Sequence, residues 1–291
     1  MPRRRRLNDD AGESSKRARR PAQATKHLYL VLDDCVQSYS IHRLDADDDT
    51  GSIHKPDDDP ATRFVAPGSQ MHFVGMAGNI VGQRPSVAVV VLAASLLVAA
   101  PPPFGEEEAV TAYAVHPDAR TIFVSTTGGG TYSFDTERRK WRRHGEWVLP
   151  FRGQGYFDGE LDAWVGLHRE DQGRVCACHV ASRGGARPPE YSETLDYREA
   201  SSSSCKKNRR QRATLTYMGD SMFCAVETYE LVGTSPSSSS KEGGGGVEVH
   251  VTMFGLKYNR RGELQTRVRR ATGAFLVPKH VSSYSPVAFW M

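Results

Sequence analysis

Cys176-Ala177-Cys178-His179 puts two thiols and an imidazole within four residues, the donor types that bind zinc. On a strand, Cys176 and Cys178 face one side and His179 the other. No second cysteine pair lies at a usable spacing, and a closed zinc site needs four ligands. The expectation is core thiols and no metal. Asp45, Asp47, Asp48 and Asp49, with Asp57, Asp58 and Asp59, offer hard oxygen donors. They lack the glycine and closing glutamate of a helix-loop-helix calcium loop and read as solvated loop. His116, His144, His168 and Asp158 are the residue types for acid–base work, but no constellation joins them. Nucleophile-elbow, zinc-protease, phosphate-loop and dinucleotide patterns are all missing from the sequence. The sequence therefore predicts no catalytic residue, no cofactor and no enzyme.

Two basic features invite binding. Arg3, Arg4, Arg5 and Arg6 are followed, after a mostly polar spacer, by Lys16, Arg17, Arg19 and Arg20, the pattern of a bipartite nuclear-import signal. Arg138, Arg139, Lys140, Arg142 and Arg143 surround Trp141, and arginine beside an aromatic is enriched at interface hot spots. This stretch is read as an interaction loop at a turn. Of 38 basic and 34 acidic side chains, nine and three lie in residues 1–26, which leaves 29 and 31 for the rest. The body is thus close to neutral. Nucleic-acid readers carry their excess charge on the folded body, because phosphate contacts supply most of their affinity. A body that reads DNA or RNA is not expected; tail-mediated nucleic-acid association remains an alternative.

The five cysteines, Cys35, Cys176, Cys178, Cys205 and Cys224, are odd in number, and the polycationic start has no apolar run behind it. Reduced thiols in a nuclear or cytoplasmic protein are expected, the nuclear location favoured. Val87 to Ala100 is an uncharged run closed by Pro101, Pro102 and Pro103, too short to span a membrane. It reads as one or two buried strands, with a short core helix as the other choice.

Residues 1–26 read as a disordered basic tail, and 27–291 as one folded domain with flexible insertions near 200–212 and 234–246. With 38% hydrophobic residues the chain can build a core. No amphipathic helix is evident. Short alternating runs broken by turn residues recur instead: His72 to Gln83, Ala114 to Thr126, Gly155 to Leu167 and Leu215 to Glu227. Asp158-Gly159 and Gly219-Asp220 supply hairpin turns. Second hairpins follow at Leu28 to Asp45, Ile122 to Glu137 and Ala163 to Val180, the last with Cys176, Cys178 and Val180 on one face. First strands recur near residues 28, 73, 122, 162 and 222, and Ala274 to Trp290 is suited to complete the unit begun at residue 28. Repeated antiparallel units of this period, each unable to bury both faces alone, predict an all-β, β-propeller-like fold of five or six blades. Two unrelated β-sandwiches are the other architecture.

The stretch Tyr132 to Trp147 resembles a degenerate kelch repeat: Tyr132 and Phe134 on a strand, Asp135 in a turn, then Trp141. With GQGYFDGELDAWVGL, HLYLVLDDCVQSYSIHRLD and YMGDSMFCAVE, the chain resembles a grass-expanded plant family of uncharacterised kelch-like proteins, domain of unknown function 1668. The resemblance covers roughly 27–290 and is best over 113–230. The double-glycine strand end of standard kelch repeats occurs once, at Gly128-Gly129-Gly130. The resemblance implies a kelch-type propeller without assigned activity. The expected function is a non-enzymatic module that holds a protein partner. A small-molecule or sugar-active enzyme using the central channel is the alternative.

Overall fold

The computed structural model describes residues 27–35, 38–44, 46–47, 52–53, 60–65, 72–76, 79–83, 102–105, 107–171, 173–197, 211–230, 246–278 and 287–291. The basic tail, Val87 to Ala100 and both insertions lie outside these residues, apart from the ends of the insertions that join strands. All regular structure here is β. In chain order the strands are Leu28–Cys35 (β1), Ser38–Leu44 (β2), Ala46–Asp47 (β3), Ser52–Ile53 (β4), Thr62–Val65 (β5), His72–Met76 (β6) and Asn79–Gln83 (β7). Then come Val110–Val115 (β8), Thr121–Thr126 (β9), Thr131–Asp135 (β10), Lys140–Gly145 (β11), Phe151–Asp158 (β12), Ala163–His168 (β13), Arg174–His179 (β14) and Tyr191–Asp196 (β15). Gln211–Gly219 (β16), Met222–Glu230 (β17), Gly246–Tyr258 (β18), Leu264–Pro278 (β19) and Val287–Trp290 (β20) complete the set.

The hairpins read from the sequence form where expected, because turn chemistry and alternation agree. A recurrent local device makes the turns. Asp118 Oδ1 accepts the backbone N–H of Arg120 and Thr121, both at 2.9 Å. Asp135 does the same for Glu137 and Arg138, and Asp158 for Glu160 and Leu161. A short side chain that imitates a backbone turn favours reversal over strand continuation. One detail differs: in the β12–β13 connection the left-handed residue is Asp162 (φ 47°), not Asp158 or Gly159, so the turn is longer than a two-residue hairpin.

Three meanders run β8-β9-β10-β11, β12-β13-β14-β15 and β16-β17-β18-β19, and a further sheet runs β20-β1-β2-β5. A C-terminal strand does complete the sheet begun at residue 28, with a correction. Ala274 to Pro278 pairs with β18 and belongs to the preceding sheet; Val287–Trp290 alone lies against β1. Backbone bonds between His27 and Met291 extend that ladder. The strands expected first near 28, 122, 162 and 222 are second ones, with β20, β8, β12 and β16 beside them as leading strands, and the one near 73 pairs with β7.

These leading strands are neighbours. β8 and β12 pair in parallel, and Tyr113 Oη donates to Gln154 Oε1 across them. Tyr156 on β12 donates to the Leu215 carbonyl on β16, and Thr216 on β16 to the Ala288 carbonyl on β20. The sheets thus fan out from adjacent leading strands, and each covers the next. Trp164, Cys176 and Cys178 pack with Ala112, Ala114 and Phe123 of the β8 sheet. Their sequence neighbours Val165, Leu167, Val175 and Ala177 point the other way, onto Phe223, Ala225 and Phe254. Cys224 and Val226, on the far side of β17, meet Leu28, Leu30 and Leu32. A sheet covered on both faces explains why β13 and β14 are buried along almost their whole length rather than on alternate residues. A pair of β-sandwiches would leave one face of each sheet wet; the arrangement is all-β and β-propeller-like.

Candidate functional site

The basic cluster around Trp141 splits between two elements. Arg138 and Arg139 occupy the β10–β11 turn, while Lys140 to Arg143 lie on β11 itself, so the expected loop is half strand. A run of charges hides the period of two. Pairing with β10 sets the side chains: Trp141 opposes Phe134 and Arg143 opposes Tyr132 on one face, Lys140 opposes Asp135 and Arg142 opposes Ser133 on the other. On the first face Trp141 packs against Phe134 (ring centroids 4.8 Å apart) and Phe104 (5.8 Å).

The second face looks toward the segment that follows β14, and the two enclose an open groove of about 660 Å³. Its cations are Arg120, Arg138, Lys140, Arg142 and Arg183; its carboxylates are Asp135 and Glu137. Arg120 pairs with Glu137 at 2.9 Å, and Arg183 with Asp118 at 3.0 Å. Burial would raise the Asp118 carboxyl, but the N–H groups of Arg120 and Thr121, the Thr121 hydroxyl and His116 hold it well below the usual carboxylate range. It is a fixed anion for Arg183. Arg142 is placed differently. Its guanidinium donates to the carbonyls of Arg183 (3.0 Å) and Gly184 (2.8 Å), neutral groups that fix the fork and leave its charge in place. Lys140 has no carboxylate partner among the described residues.

His144 holds the groove together. Its side chain is 2% exposed, with Nδ1 2.7 Å from the Gly185 carbonyl and Nε2 2.8 Å from Ser133 Oγ. A carbonyl only accepts, so Nδ1 carries the proton and Nε2 accepts from the serine hydroxyl. Trp147 Nε1 adds a bond to the Ala186 carbonyl. Burial, with the Arg142 charge nearby, depresses the His144 pKa below its ordinary 6.5, although the Gly185 carbonyl works against this. Below that value the unfolded chain takes up a proton that the folded chain refuses. Stability is then full above about pH 6.5 and falls as the pH drops toward the lower folded value. Denaturant titrations between about pH 7.5 and pH 5.5 should show this slope, and His144→Gln should flatten it. An unchanged slope in the variant would remove the assignment.

The other singled-out groups serve structure. The described thiols, Cys176, Cys178 and Cys224, are free and buried. Burial pushes Cys176 and Cys224 up to about 12 and Cys178 higher still, so all are protonated thiols. Cys176 and Cys178 share a face and His179 is exposed on the other. His168 Nδ1 accepts the Asp171 N–H, and Asp158 accepts from Ser221 Oγ at 2.8 Å, tying two sheets at their turns. Among the described residues no three His, Cys, Asp or Glu side chains gather as metal ligands, and no helix is long and apolar enough to cross a membrane. Arg3–Arg6, Lys16–Arg20 and the aspartate clusters lie outside the residues whose side chains are described. Sequence reasoning named His144 only among acid–base residue types, and it did not see the groove roles of His144, Arg120 and Arg183. Only the serial Asp-x-Arg-Thr pattern at 118–121 could have hinted at the second of these.

A family profile described as a protein of unknown function (DUF1668) matches residues 94–275. No curated protein matches the chain. Among solved structures, the chain is similar to Saccharomyces cerevisiae Sqt1, at 13% identity and a TM-score of 0.30 over 58% of this chain and 38% of that one. It is also similar to the Myceliophteria thermophila Cps50 (Swd1) β-propeller domain, at 9% identity and a TM-score of 0.26 over 78% of this chain and 76% of that one. The sheet order and the doubly covered faces, not these likenesses, carry the description of the fold.

Proposed function

We propose, for a chain that belongs to the DUF1668 family of proteins of unknown function, that the propeller-like body is a kelch-type scaffold that holds a protein partner and performs no chemistry of its own. The observation that carries this is the preformed groove between β10–β11 and the segment 183–185, with Arg142 already fixed and His144 already clasped. A rigid, charged, partly aromatic surface binds without first spending free energy on ordering itself. The titratable groups that a reaction would need are engaged in turns and cores: His144 in the clasp, Asp158 against Ser221, the thiols among apolar side chains.

The test places a photo-crosslinking residue at Glu137, on the groove wall, and irradiates the full chain in native extract. One dominant protein adduct is expected, its yield falling about tenfold when Lys140→Glu is added. Yield insensitive to the charge reversal removes the scaffold reading at this site. Thermal midpoints of the two proteins should agree, because Lys140 is exposed.

A further inference from the structure

We propose that the groove docks one phosphorylated serine or threonine of a partner protein, with Lys140 and Arg142 taking the phosphate between them. This rests on the scaffold reading and names the partner's chemistry. The groove lies over the face that β9, β10 and β11 share. There Thr121, Asp135 and Lys140 stand side by side across the register, and Ser133 stands beside Arg142.

The charges of the groove leave two cations over. Arg120 is matched by Glu137 and Arg183 by Asp118. Asp135 stands opposite Lys140, but its Oδ1 takes the N–H groups of Glu137 and Arg138, and its Oδ2 lies 3.9 Å from the Arg138 guanidinium. Lys140 and Arg142 have no ion-pair partner among the described residues. The groove thus holds two spare positive charges, both on exposed side chains. A phosphate monoester brings nearly two negative charges at pH 7, whereas a carboxylate brings one. The two cations stand two residues apart on one strand face, with about 7 Å between their Cα atoms. Three acceptor oxygens let one phosphate meet both.

Arg142 is also set in place for an anion. Its guanidinium carries five N–H groups. Two are used on the Arg183 and Gly184 carbonyls, which leaves three in a fixed plane. The segment that holds it is itself held, since Arg183 pairs with Asp118 and the Gly185 carbonyl with His144. A solvated arginine loses rotamer freedom when it grips an anion; this one has lost it already. A surface cation that serves only solubility needs no such anchor. Other phosphate carriers fit less well. Nucleic acids and anionic membranes draw on many contacts at once, and only two charges are spare here.

Fluorescence anisotropy on the full chain tests this, with a labelled seven-residue peptide that has phosphoserine at its centre and glycine and alanine elsewhere. Saturable binding with a dissociation constant below about 1 mM is expected. The unphosphorylated peptide, and one with glutamate at the centre, should each bind about tenfold more weakly or worse. Lys140→Gln and Arg142→Gln should each weaken the phosphopeptide about tenfold, and Lys140→Arg should retain it. The lysine lies outside the 183–185 contacts, so its loss reads the groove and not the fold. Phosphatase treatment of the native extract should remove the Lys140-dependent cross-link at Glu137. Equal binding of the glutamate peptide, or no binding of the phosphopeptide by about 1 mM, overturns the phosphate assignment. So does phosphopeptide binding that ignores both substitutions, and so does a cross-link that survives the phosphatase. A short single-stranded oligonucleotide, or a vesicle holding a phosphoinositide, that binds more tightly than the phosphopeptide and is lost with Lys140→Gln gives the site to that carrier and overturns the peptide. If any of these occurs while the Glu137 cross-link still depends on Lys140, this inference fails and the scaffold reading stands. If the cross-link loses that dependence, both fail.

Discussion

Removing Val287–Met291 should cost the largest part of this protein's stability. β20 pairs with β1 over four residues, and His27 and Met291 exchange two further backbone bonds. Ala288 is buried in the cluster of Leu28, Leu30, Leu32, Val226 and Val251, and Trp290 packs against it. Thr216 Oγ1 would lose its acceptor, the Ala288 carbonyl at 2.7 Å. With roughly 1 kcal/mol for each net hydrogen bond and a similar amount for each buried side chain, the loss is about 5 kcal/mol or more. That rivals the whole stability of an ordinary domain. The truncated chain should lose its cooperative thermal transition by circular dichroism and become sensitive to limited proteolysis. A synthetic peptide carrying residues 287–291 with a short extension should restore the transition in trans. An unchanged midpoint in the truncated chain would show that this strand does not complete the sheet.

Trp164→Ala should destabilise by about 4 kcal/mol, the second large effect. Trp164 is fully buried between the β8 and β12 sheets, 5.3 Å from the Phe123 ring centroid, and donates Nε1–H to the Val115 carbonyl at 2.9 Å. Alanine leaves a cavity between two sheets that cannot collapse independently, together with an unpaired carbonyl. Trp164→Phe keeps most of the volume and should cost about half as much. Urea unfolding reads both, with unchanged slopes if the denatured states are alike. A loss below about 1 kcal/mol for the alanine variant would contradict the covering of one sheet by the next.

The hairpins were legible because their information is local. Alternation, Asp118, Asp135 and Asp158 at turn starts, and the left-handed Gly219, Asp220 and Ser221 act within a few residues. Strand ownership was not. Ala274 to Trp290 looks like one closing segment, yet Ala274 to Pro278 extends the fifteen-residue β19 while Val287–Trp290 crosses to β1. A strand's partner is chosen by the ladder offered to it, and both ladders here are far away in sequence. The rank of strands within a sheet was equally hidden. β8, β12 and β16 carry no mark that sets them first, since their short mixed runs read in sequence like those of the strands beside them.

The candidate site divides the same way. Arg138 to Arg143 with Trp141 stood out in the chain, because clustered charge around an aromatic is visible in one dimension. Its split between turn and edge strand, the facing of Lys140 and Arg142 into one groove, and the clasp of His144 on Gly185 came from elements about forty residues apart. By itself the sequence determined an all-β chain of repeated hairpins with a basic patch, since alternation and turn chemistry are properties of neighbours. Tertiary structure alone decided which sheets cover which and where that patch becomes a groove, since those contacts exist only once distant strands have met.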